Sequence, residues 1–248
     1  MIRLVASDVD GTLLPSGQKA VSRQVIDAVA RLIGQGVWFA AASGRPCWDL
    51  QRLFAPVSHE AIFAGLDGAL VIYRDQVLDA APLDFSGAME FAHQCLEGRC
   101  RGIVIHQRET SRRIGDVENG VRFQEAGGLQ EIKGPVYKIS VYRPQEIDRL
   151  LIPALFSVCY RENGWLEVVA PGVNKGKALR RIQEMASISR GETVAIGDND
   201  NDLELLQAAG AGVAIKQGKA SLCSRFPLQT DDAVLFLQKL AEQNEKYI

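Results

Sequence analysis

A short acidic turn near the start of the chain constrains the fold more than any other stretch. The run Val5-Ala6-Ser7-Asp8-Val9-Asp10-Gly11-Thr12 begins apolar and then presents two carboxylates and a glycine. This pattern predicts a buried strand ending in a turn, where glycine adopts dihedrals that other residues avoid. Ligands of open α/β sheets bind beyond the carboxyl ends of the strands, so we expect Asp8 and Asp10 to face one ligand. A turn that merely caps an ordinary strand is the alternative.

Composition and charge exclude several classes of protein. With 248 residues and 47% hydrophobic content, the chain can build one large domain or two modest ones. Lys and Arg number 28 against 30 Asp and Glu, without a basic run, so we expect no nucleic-acid binding. No apolar stretch approaches the roughly 20 residues of a membrane helix, and the start is too short for a signal sequence. We therefore expect a cytoplasmic protein that binds no membrane, and nothing indicates an obligate protein partner.

Strands and helices alternate in the first and last thirds of the chain. Strands are predicted at 2–7, 37–42, 61–64, 193–196 and 212–215, with a hairpin over 69–79 that closes near Arg74-Asp75. Helices are predicted between Ser22 and Gly36, after Pro46, from Lys175, over 203–209 and over 231–243. This alternation is typical of a parallel, doubly wound sheet.

The middle of the chain has a different pattern. It predicts a helix over 86–97, strands at 102–107, 112–115 and 136–142, a helix near 147–154, and a hairpin of 156–161 with 165–170 around Asn163-Gly164. We interpret residues 83–171 as an antiparallel α+β unit inserted into the parallel domain. His106 and Glu167 are polar positions in its apolar strands, and ordinary alternation predicts that they face solvent.

Four motifs occur in order at strand or helix ends. They are Asp8-Val9-Asp10-Gly11-Thr12, Ser43-Gly44-Arg45-Pro46, Asn174-Lys175-Gly176-Lys177-Ala178-Leu179 and Gly197-Asp198-Asn199-Asp200-Asn201-Asp202. Together they resemble the motifs of haloacid dehalogenase-like (HAD) phosphatases, and the insert resembles the cap of the Cof-type branch, subfamily IIB. The resemblance implies an α/β fold with a Rossmann-like doubly wound parallel core at 1–82 and 172–248, and an inserted α+β C2-type cap at 83–171.

Two segments depart from the pattern of the family. Relatives commonly carry Asn-Gly-Ala after the third core strand, whereas this chain has Leu66-Asp67-Gly68-Ala69, which adds a carboxylate near the expected cleft. Relatives also carry a segment like Gly-Asn-Ala after the last core strand, where this chain has Ile215-Lys216-Gln217-Gly218-Lys219-Ala220. Both departures bear on the substrate rather than on the four motifs.

The acids of the first and last motifs supply the oxygen ligands that Mg²⁺ prefers, whereas the cysteines and histidines lack the spacing of a zinc site. We expect Asp8 and Asp198 to hold Mg²⁺, Asp202 to be a second ligand or to hold a water, and Asp10 to add its backbone carbonyl. A carboxylate beside the metal then attacks the phosphoryl group. The resemblance, rather than the spacing, makes Asp8 the nucleophile and Asp10 the general acid and base.

Donors for the phosphate are expected in the other motifs. Lys175 supplies an ammonium, Ser43 a hydroxyl and Gly44 a backbone N–H, with Asn201 as a further contact. Lys177 lies two residues further along the helix and is expected to point elsewhere.

Three neighbouring side chains have open roles. Thr12 is expected to orient Asp8 or Asp10, or to cap the turn. Arg45 either meets the substrate beyond its phosphate or forms a surface salt bridge, and Asp200 faces solvent or caps a helix.

The chemistry of these residues, together with what the resemblance implies, leads us to expect a Mg²⁺-dependent phosphatase of small soluble phosphomonoesters, such as sugar phosphates, with an aspartyl-phosphate intermediate. Two other readings stay open. A phosphomutase has the same active site but passes the phosphoryl group to another hydroxyl. A non-catalytic, receiver-like phosphate-sensing module also clusters Asp residues, Mg²⁺ and a Lys, although the insert and Asp10 argue against it.

Overall fold

The structure is a computed structural model that describes residues 1–97, 100–117, 123–143, 152, 154–162 and 164–245. The strands are β1 (Leu4–Ser7), β2 (Trp38–Ala42), β3 (Ile62–Gly65), β4 (Leu70–Tyr73), β5 (Gln76–Ala80), β6 (Gly102–His106), β7 (Ser111–Gly115), β8 (Gln124–Glu125), β9 (Lys138–Tyr142), β10 (Ser157–Glu162), β11 (Trp165–Val169), β12 (Thr193–Gly197), β13 (Ala211–Ile215) and β14 (Gln229–Thr230). The α-helices are α1 (Arg23–Gly34), α2 (Cys47–Leu53), α3 (Phe85–Leu96), α4 (Lys175–Ala186), α5 (Leu203–Ala208), α6 (Ala220–Cys223) and α7 (Ala233–Glu245).

The larger sheet has the order β14-β13-β12-β1-β2-β3-β4-β5. Its strands from β14 to β3 are parallel, and the β4–β5 hairpin extends the sheet antiparallel. Strand β1 lies between β12 and β2, so the chain leaves it toward one side and returns on the other. Such a switch point opens a crevice at the carboxyl ends of the strands. The predicted doubly wound core is confirmed, and β14 is an addition to it.

The strands of this core are apolar throughout because both faces of the sheet are covered. Leu4 and Ala6 pack on one face with residues of α4 and α5. Val5 points to the other face and packs with residues of α1 and α7. Helix α1 begins after Ser22, whose hydroxyl accepts from the Val25 N–H (3.3 Å), as the predicted cap requires.

The smaller sheet has the order β10-β11-β9-β6-β7-β8. It is antiparallel, as predicted, except that the short strand β8, which the sequence did not indicate, pairs parallel to β7. One face packs its isoleucines, leucines and valines on α3. The helix predicted near 147–154 and the turn residue Asn163 lie largely or wholly outside the described residues.

In the described parts of the chain, no helix combines the length and apolarity needed to cross a bilayer. The domain limits at 82–83 and 171–172 and the cytoplasmic location stay predictions.

Helices α4 and α5 approach each other closely at Gly176. A Cβ built on this glycine would lie 2.1 Å from the backbone oxygen of Glu204. The contact sets the depth at which the first turn of α4, with Lys175, enters the carboxyl edge of the larger sheet.

We predict that Gly176→Ala lowers the free energy of unfolding by about 1–3 kcal/mol, the usual cost of overpacking. In an unhindered helix the same change raises stability by roughly 0.5–1 kcal/mol. Gly34→Ala, where a Cβ meets open space, is the matched control and should be neutral or stabilising. Urea denaturation of both variants measures the difference, and equal effects would contradict the close approach.

Candidate active site

Four neighbouring parallel strands deliver polar residues to one edge of the larger sheet. Strand β1 is followed by Asp8, β2 by Ser43, β3 by Leu66-Asp67 and β12 by Asp198. A cavity of about 600 Å³ opens there, and the face of the smaller sheet opposite α3 contributes to its lining. The cavity therefore joins the motif residues to side chains of the smaller sheet.

Lys175 is the central cation of the strand-end group. Its side chain is 2% exposed, and its Nζ lies 2.7 Å from Asp8 Oδ1 and 2.6 Å from Asp202 Oδ1. Burial alone lowers the pKa of Lys175, but the charges of Asp202 and Asp8 outweigh it and the net pKa is raised. The ammonium is therefore charged at neutral pH, as the predicted phosphate donor needs to be. Lys177 is exposed, on the same helix.

Asp202 is fully buried and holds the acidic loop together. Its Oδ2 accepts from the backbone N–H groups of Asp198 and Asn199, both at 3.0 Å, while its Oδ1 faces Lys175. Asp202 therefore stays within the acidic cluster, and its two predicted roles, as a second metal ligand or as the holder of a water, both stay predictions. The exposed Asp200 accepts from Ser221 and lies apart from the cluster.

Residues 215–220, which depart from the family pattern, also support this loop. The Lys219 N–H donates to the backbone oxygen of Asp198 (2.7 Å), and a Cβ on Gly218 would lie 2.2 Å from the same oxygen. The segment therefore fixes the position of Asp198 even though it lacks the family pattern.

One oxygen of Asp8 stands out. Asp8 Oδ2 is buried and has no hydrogen-bond partner among the described residues. Burial and the negative charges of Asp202 and Asp198 raise the pKa of Asp8 well above its usual range, against the lowering effect of Lys175. Oxygens from these three carboxylates lie within 4.8 Å of one another. A divalent cation fits this donor set, because it offsets the crowded charge and satisfies the unpaired oxygen.

Thr12 and Gly11 act on Asp198. The Thr12 hydroxyl donates to Asp198 Oδ1 (3.1 Å), so the prediction that Thr12 orients Asp8 or Asp10 is wrong. Gly11 has φ +90°, and a Cβ there would lie 2.4 Å from Asp198 Oδ2. The glycine of the first motif is thus required both by the turn and by the carboxylate packed against it.

Asp10 lies outside the carboxylate cluster and meets Arg45. The guanidinium contacts both of its oxygens, at 2.8 Å through Nε and 2.7 Å through Nη2, and Ser43 Oγ donates at 3.3 Å. The Asp10 side chain is 49% exposed, so it stands at the mouth of the cavity. Arg45 also pairs with the buried Asp49 (2.7 Å). Arg45 therefore forms a salt bridge with an acidic residue of the site, Asp10, and this salt bridge is not confined to the protein surface.

Asp67 lines the same cavity as Lys175. Its φ of +58°, and that of Leu66 at +54°, belong to a tight turn in which the Asp67 N–H donates to the Ser43 carbonyl (3.0 Å). The side chain is 5% exposed and accepts from Asn201 Nδ2 at 3.4 Å. The residue anticipated as an extra negative charge thus lies inside the site, beside two predicted phosphate contacts.

Lys138 of β9 joins the smaller sheet to Asp67. Its Nζ lies 2.9 Å from Asp67 Oδ2 and 3.0 Å from the Gly44 carbonyl, and it also contacts Glu167. Burial raises the pKa of Asp67, but the positive charges of Lys138 and Lys175 outweigh it and the net pKa is lowered. Asp67, Glu167 and Cys159 are close enough together to hold a cation, yet the Lys138 ammonium already contacts both carboxylates.

The prediction that His106 and Glu167 face solvent is wrong. His106 is 5% exposed, with Nδ1 2.8 Å from Ser111 Oγ and Nε2 3.0 Å from Ser140 Oγ. Ser140 in turn donates to Glu167 Oε1 (2.7 Å). Burial and the Lys138 charge lower the pKa of His106 well below its usual range, so the ring is neutral. Polar and apolar residues do alternate along these strands, but the polar face of the sheet lines the cavity instead of facing bulk water.

The family model described as haloacid dehalogenase-like hydrolase matches residues 5–126 and 135–233. The chain belongs to this family.

Relatives agree with the match. A 5-amino-6-(5-phospho-D-ribitylamino)uracil phosphatase of Escherichia coli is 24% identical over 238 residues, covering 89% of this chain and 88% of that protein. A phosphoglycolate phosphatase of Methanopyrus kandleri is 29% identical over 226 residues, covering 86% and 84%. A solved HAD subclass IIB sugar phosphatase has a TM-score of 0.79 at 17% identity, covering 99% and 98%. The predictions of a Cof-type HAD protein and of a phosphoric monoester hydrolase are confirmed.

Sequence reasoning missed several lining residues of this HAD hydrolase. Lys138, Ser140 and Tyr142 alternate with Ile139 and Val141 along β9. That period of two was a usable signal, since it separates a core face from a polar and aromatic face. The aromatic side chains that line the cavity are Phe123, Tyr142, Tyr160 and Trp165.

We predict that Lys138→Met lowers the free energy of unfolding by about 3–5 kcal/mol at pH 7, because it leaves two carboxylates without their buried cation. Lys177→Met, at an exposed site on α4, is the control and should change little.

The loss should shrink as the pH falls toward about 4. In the native protein the lowered pKa of Asp67 contributes stability that is retained from pH 7 down to about 4 and is lost only as the pH falls further, through that pKa. In the variant, protonation instead removes an unfavourable buried charge. Urea titrations of both proteins from pH 7 to pH 4 measure how the loss changes, and a loss independent of pH would argue against the charge pairing.

Proposed function

We propose that this hydrolase is a Mg²⁺-dependent phosphatase of small phosphomonoesters that acts through an aspartyl-phosphate on Asp8. The observation that carries the proposal is the buried Oδ2 of Asp8, beside Lys175, for which the described part of the chain offers no hydrogen-bond partner. Such an oxygen costs free energy unless a cation or an electrophile meets it. The relatives named above act on different phosphate esters, which supports the class of substrate without naming the compound.

The phosphoryl group is proposed to lie between Lys175 and the end of β2. Lys175 Nζ offers positive charge from one side, while the Ser43 hydroxyl and the Gly44 N–H offer donors from the other. Asn201 lies beside Asp67 and adds an amide donor. These groups orient phosphorus for attack by the carboxylate of Asp8.

Catalysis is proposed to proceed in two displacements. An Asp8 oxygen forms a bond to phosphorus as the bond to the ester oxygen breaks, and Asp10 gives that oxygen a proton. Asp10 then takes a proton from a water that attacks the aspartyl-phosphate, which releases inorganic phosphate and restores Asp8. Arg45 holds the Asp10 carboxylate at the cavity mouth, where it can meet a leaving group.

The residues that would hold Mg²⁺ are Asp8, Asp198 and the backbone carbonyl of Asp10, with Asp202 in support. When bound, the ion offsets the negative charge of the carboxylates and of the phosphate. Thr12 and the bonds within the acidic loop keep Asp198 oriented toward Asp8.

We propose further that residues 83–171 form a cap over a core of residues 1–82 and 172–248. The smaller sheet and α3 have a hydrophobic cluster of their own. Lys138 connects this unit to the larger sheet through its bonds to Asp67 and to the Gly44 carbonyl. A cap in this place excludes bulk water and limits the size of the substrate.

The first prediction for the mechanism is a strict need for Asp8 and for metal. Asp8→Asn should fold but release no phosphate above the background, because an amide is not a competent nucleophile. EDTA should abolish wild-type release and Mg²⁺ should restore it. Free phosphate and transfer to added sugar hydroxyls are measured together, because dominant transfer would instead support a phosphomutase. Full activity of Asp8→Asn would refute the nucleophile.

The second prediction concerns Asp10. Asp10→Asn should slow hydrolysis of alkyl phosphates by about 10²–10⁴-fold, the usual contribution of general acid catalysis. The defect should be smaller for 4-nitrophenyl phosphate, whose leaving group departs without a proton. Steady-state kcat for both esters is the measurement, and an equal defect would remove the acid role from Asp10.

A further inference from the structure

The cavity face of the smaller sheet changes from polar to aromatic along its strands. On β9, Lys138, Ser140 and Tyr142 share this face, and Lys138 Nζ reaches the Gly44 carbonyl at the strand-end site. Tyr142 lies four residues further along, about 13 Å away at the rise of a strand. The far part of the cavity is therefore aromatic, while the part next to the strand-end site is charged and hydroxylated.

The aromatic end is built on Tyr142 and Trp165, while two further rings of the cavity lining adjoin the polar row, Tyr160 opposite Glu167 and Phe123 beside His106. Trp165 pairs with Tyr142 across β11 and β9, and their ring centroids are 4.8 Å apart at an interplanar angle of 49°. The Arg143 guanidinium lies 5.3 Å from the centroid of Tyr142. Tyr142 is thereby buried at 4% exposure, while Trp165 is only partly buried. Tyr142 packs behind the indole of Trp165 and holds it at the cavity surface.

The aromatic end is not part of the hydrophobic core of its sheet. That core lies on the opposite face, against α3. On the cavity face, Tyr142 joins a small cluster with Val104 and Val117, against which Phe123 and Trp165 pack. Large rings that line an active-site cavity, held in place but partly exposed, favour a flat apolar ligand.

The polar section between the two ends has a different character. His106, Ser140 and Glu167 form a linked hydrogen-bonding row there, and all three line the cavity. Hydroxyl groups of a linker can exchange hydrogen bonds with such a row, since it contains both donors and acceptors.

We propose that the aromatic end binds a planar conjugated ring carried by the leaving group of the substrate, with a hydroxylated linker between ring and phosphate. This assignment rests on the proposed phosphatase function, because it treats the ring as part of the substrate. Trp165 is the specificity-determining residue, and it stacks on the ring. The polar row meets the linker, and the phosphate lies at Asp8 and Lys175.

Binding to the Asp8→Asn protein in the presence of Mg²⁺ tests the ring site without catalysis. Riboflavin 5′-phosphate and D-ribitol 5-phosphate share the phosphate and the ribityl chain and differ by the ring. Calorimetry should show tighter binding of the ring compound by about 5- to 150-fold, the range expected for one stacked ring. Adding Trp165→Leu should remove most of that preference, because it weakens the binding of riboflavin 5′-phosphate more than that of ribitol phosphate.

Trp38→Leu is the matched control. Trp38 forms a similar pair with Tyr73, at 5.2 Å in the larger sheet, and does not line the cavity. The preference should survive this change. Tyr160→Leu, on the edge strand β10, should also reduce the preference and provides a second test if Trp165→Leu does not fold.

The outcomes separate this inference from the proposed function. Equal affinity for the two ligands, including no detectable binding of either, overturns the ring site, as does a preference that persists in Trp165→Leu. Phosphate release from 4-nitrophenyl phosphate by the wild-type protein tests the phosphatase function separately. A Trp165-dependent preference without any phosphate release would uphold the ring site and refute the function.

Discussion

The site depends on one buried ammonium. Lys175 lies between Asp8 and Asp202, in a region where two carboxylates alone would repel each other and lose their hydration. Other features serve this arrangement. Gly176 lets α4 approach close enough to deliver the lysine, and Asp202 uses its second oxygen to fold the acidic loop. After these pairings, one oxygen of Asp8 has no partner among the residues that the structure describes, and the proposed chemistry takes place there.

The same physical solution recurs at a second group of residues that lines the cavity. Lys138 is as deeply buried as Lys175 and also joins two carboxylates, Asp67 and Glu167. It comes from the smaller sheet, however, so its ion pair with Asp67 and its hydrogen bond to the Gly44 carbonyl tie that sheet to the loops after β3 and β2. Asp67, which departs from the family pattern, is therefore paired with a lysine of the same chain, Lys138. The cavity has one charged wall made by the strand ends and a second made across the two sheets.

Local signals predicted the strand-end site because parallel topology brings the residues after β1, β2 and β12 to one edge. The motif residues then needed no long-range information. The failures have a different origin. The alternation around His106 and Glu167 predicts which residues share a face, but not whether water or another sheet covers that face. Lys138 and Thr12 have partners 71 and 186 residues away, which no local pattern reveals. The two-residue strands β8 and β14 are too short to produce a period.

The central claim, a phosphoryl group carried by Asp8, can be tested on the protein itself. The wild-type protein is mixed with Mg²⁺ and 4-nitrophenyl phosphate, quenched in acid during turnover and reduced with borohydride. An aspartyl-phosphate is converted to homoserine by this treatment, and peptide mass spectrometry locates the change. The account predicts homoserine at position 8 and an unmodified Asp10. Homoserine at position 10, or turnover with no modified aspartate, would contradict it.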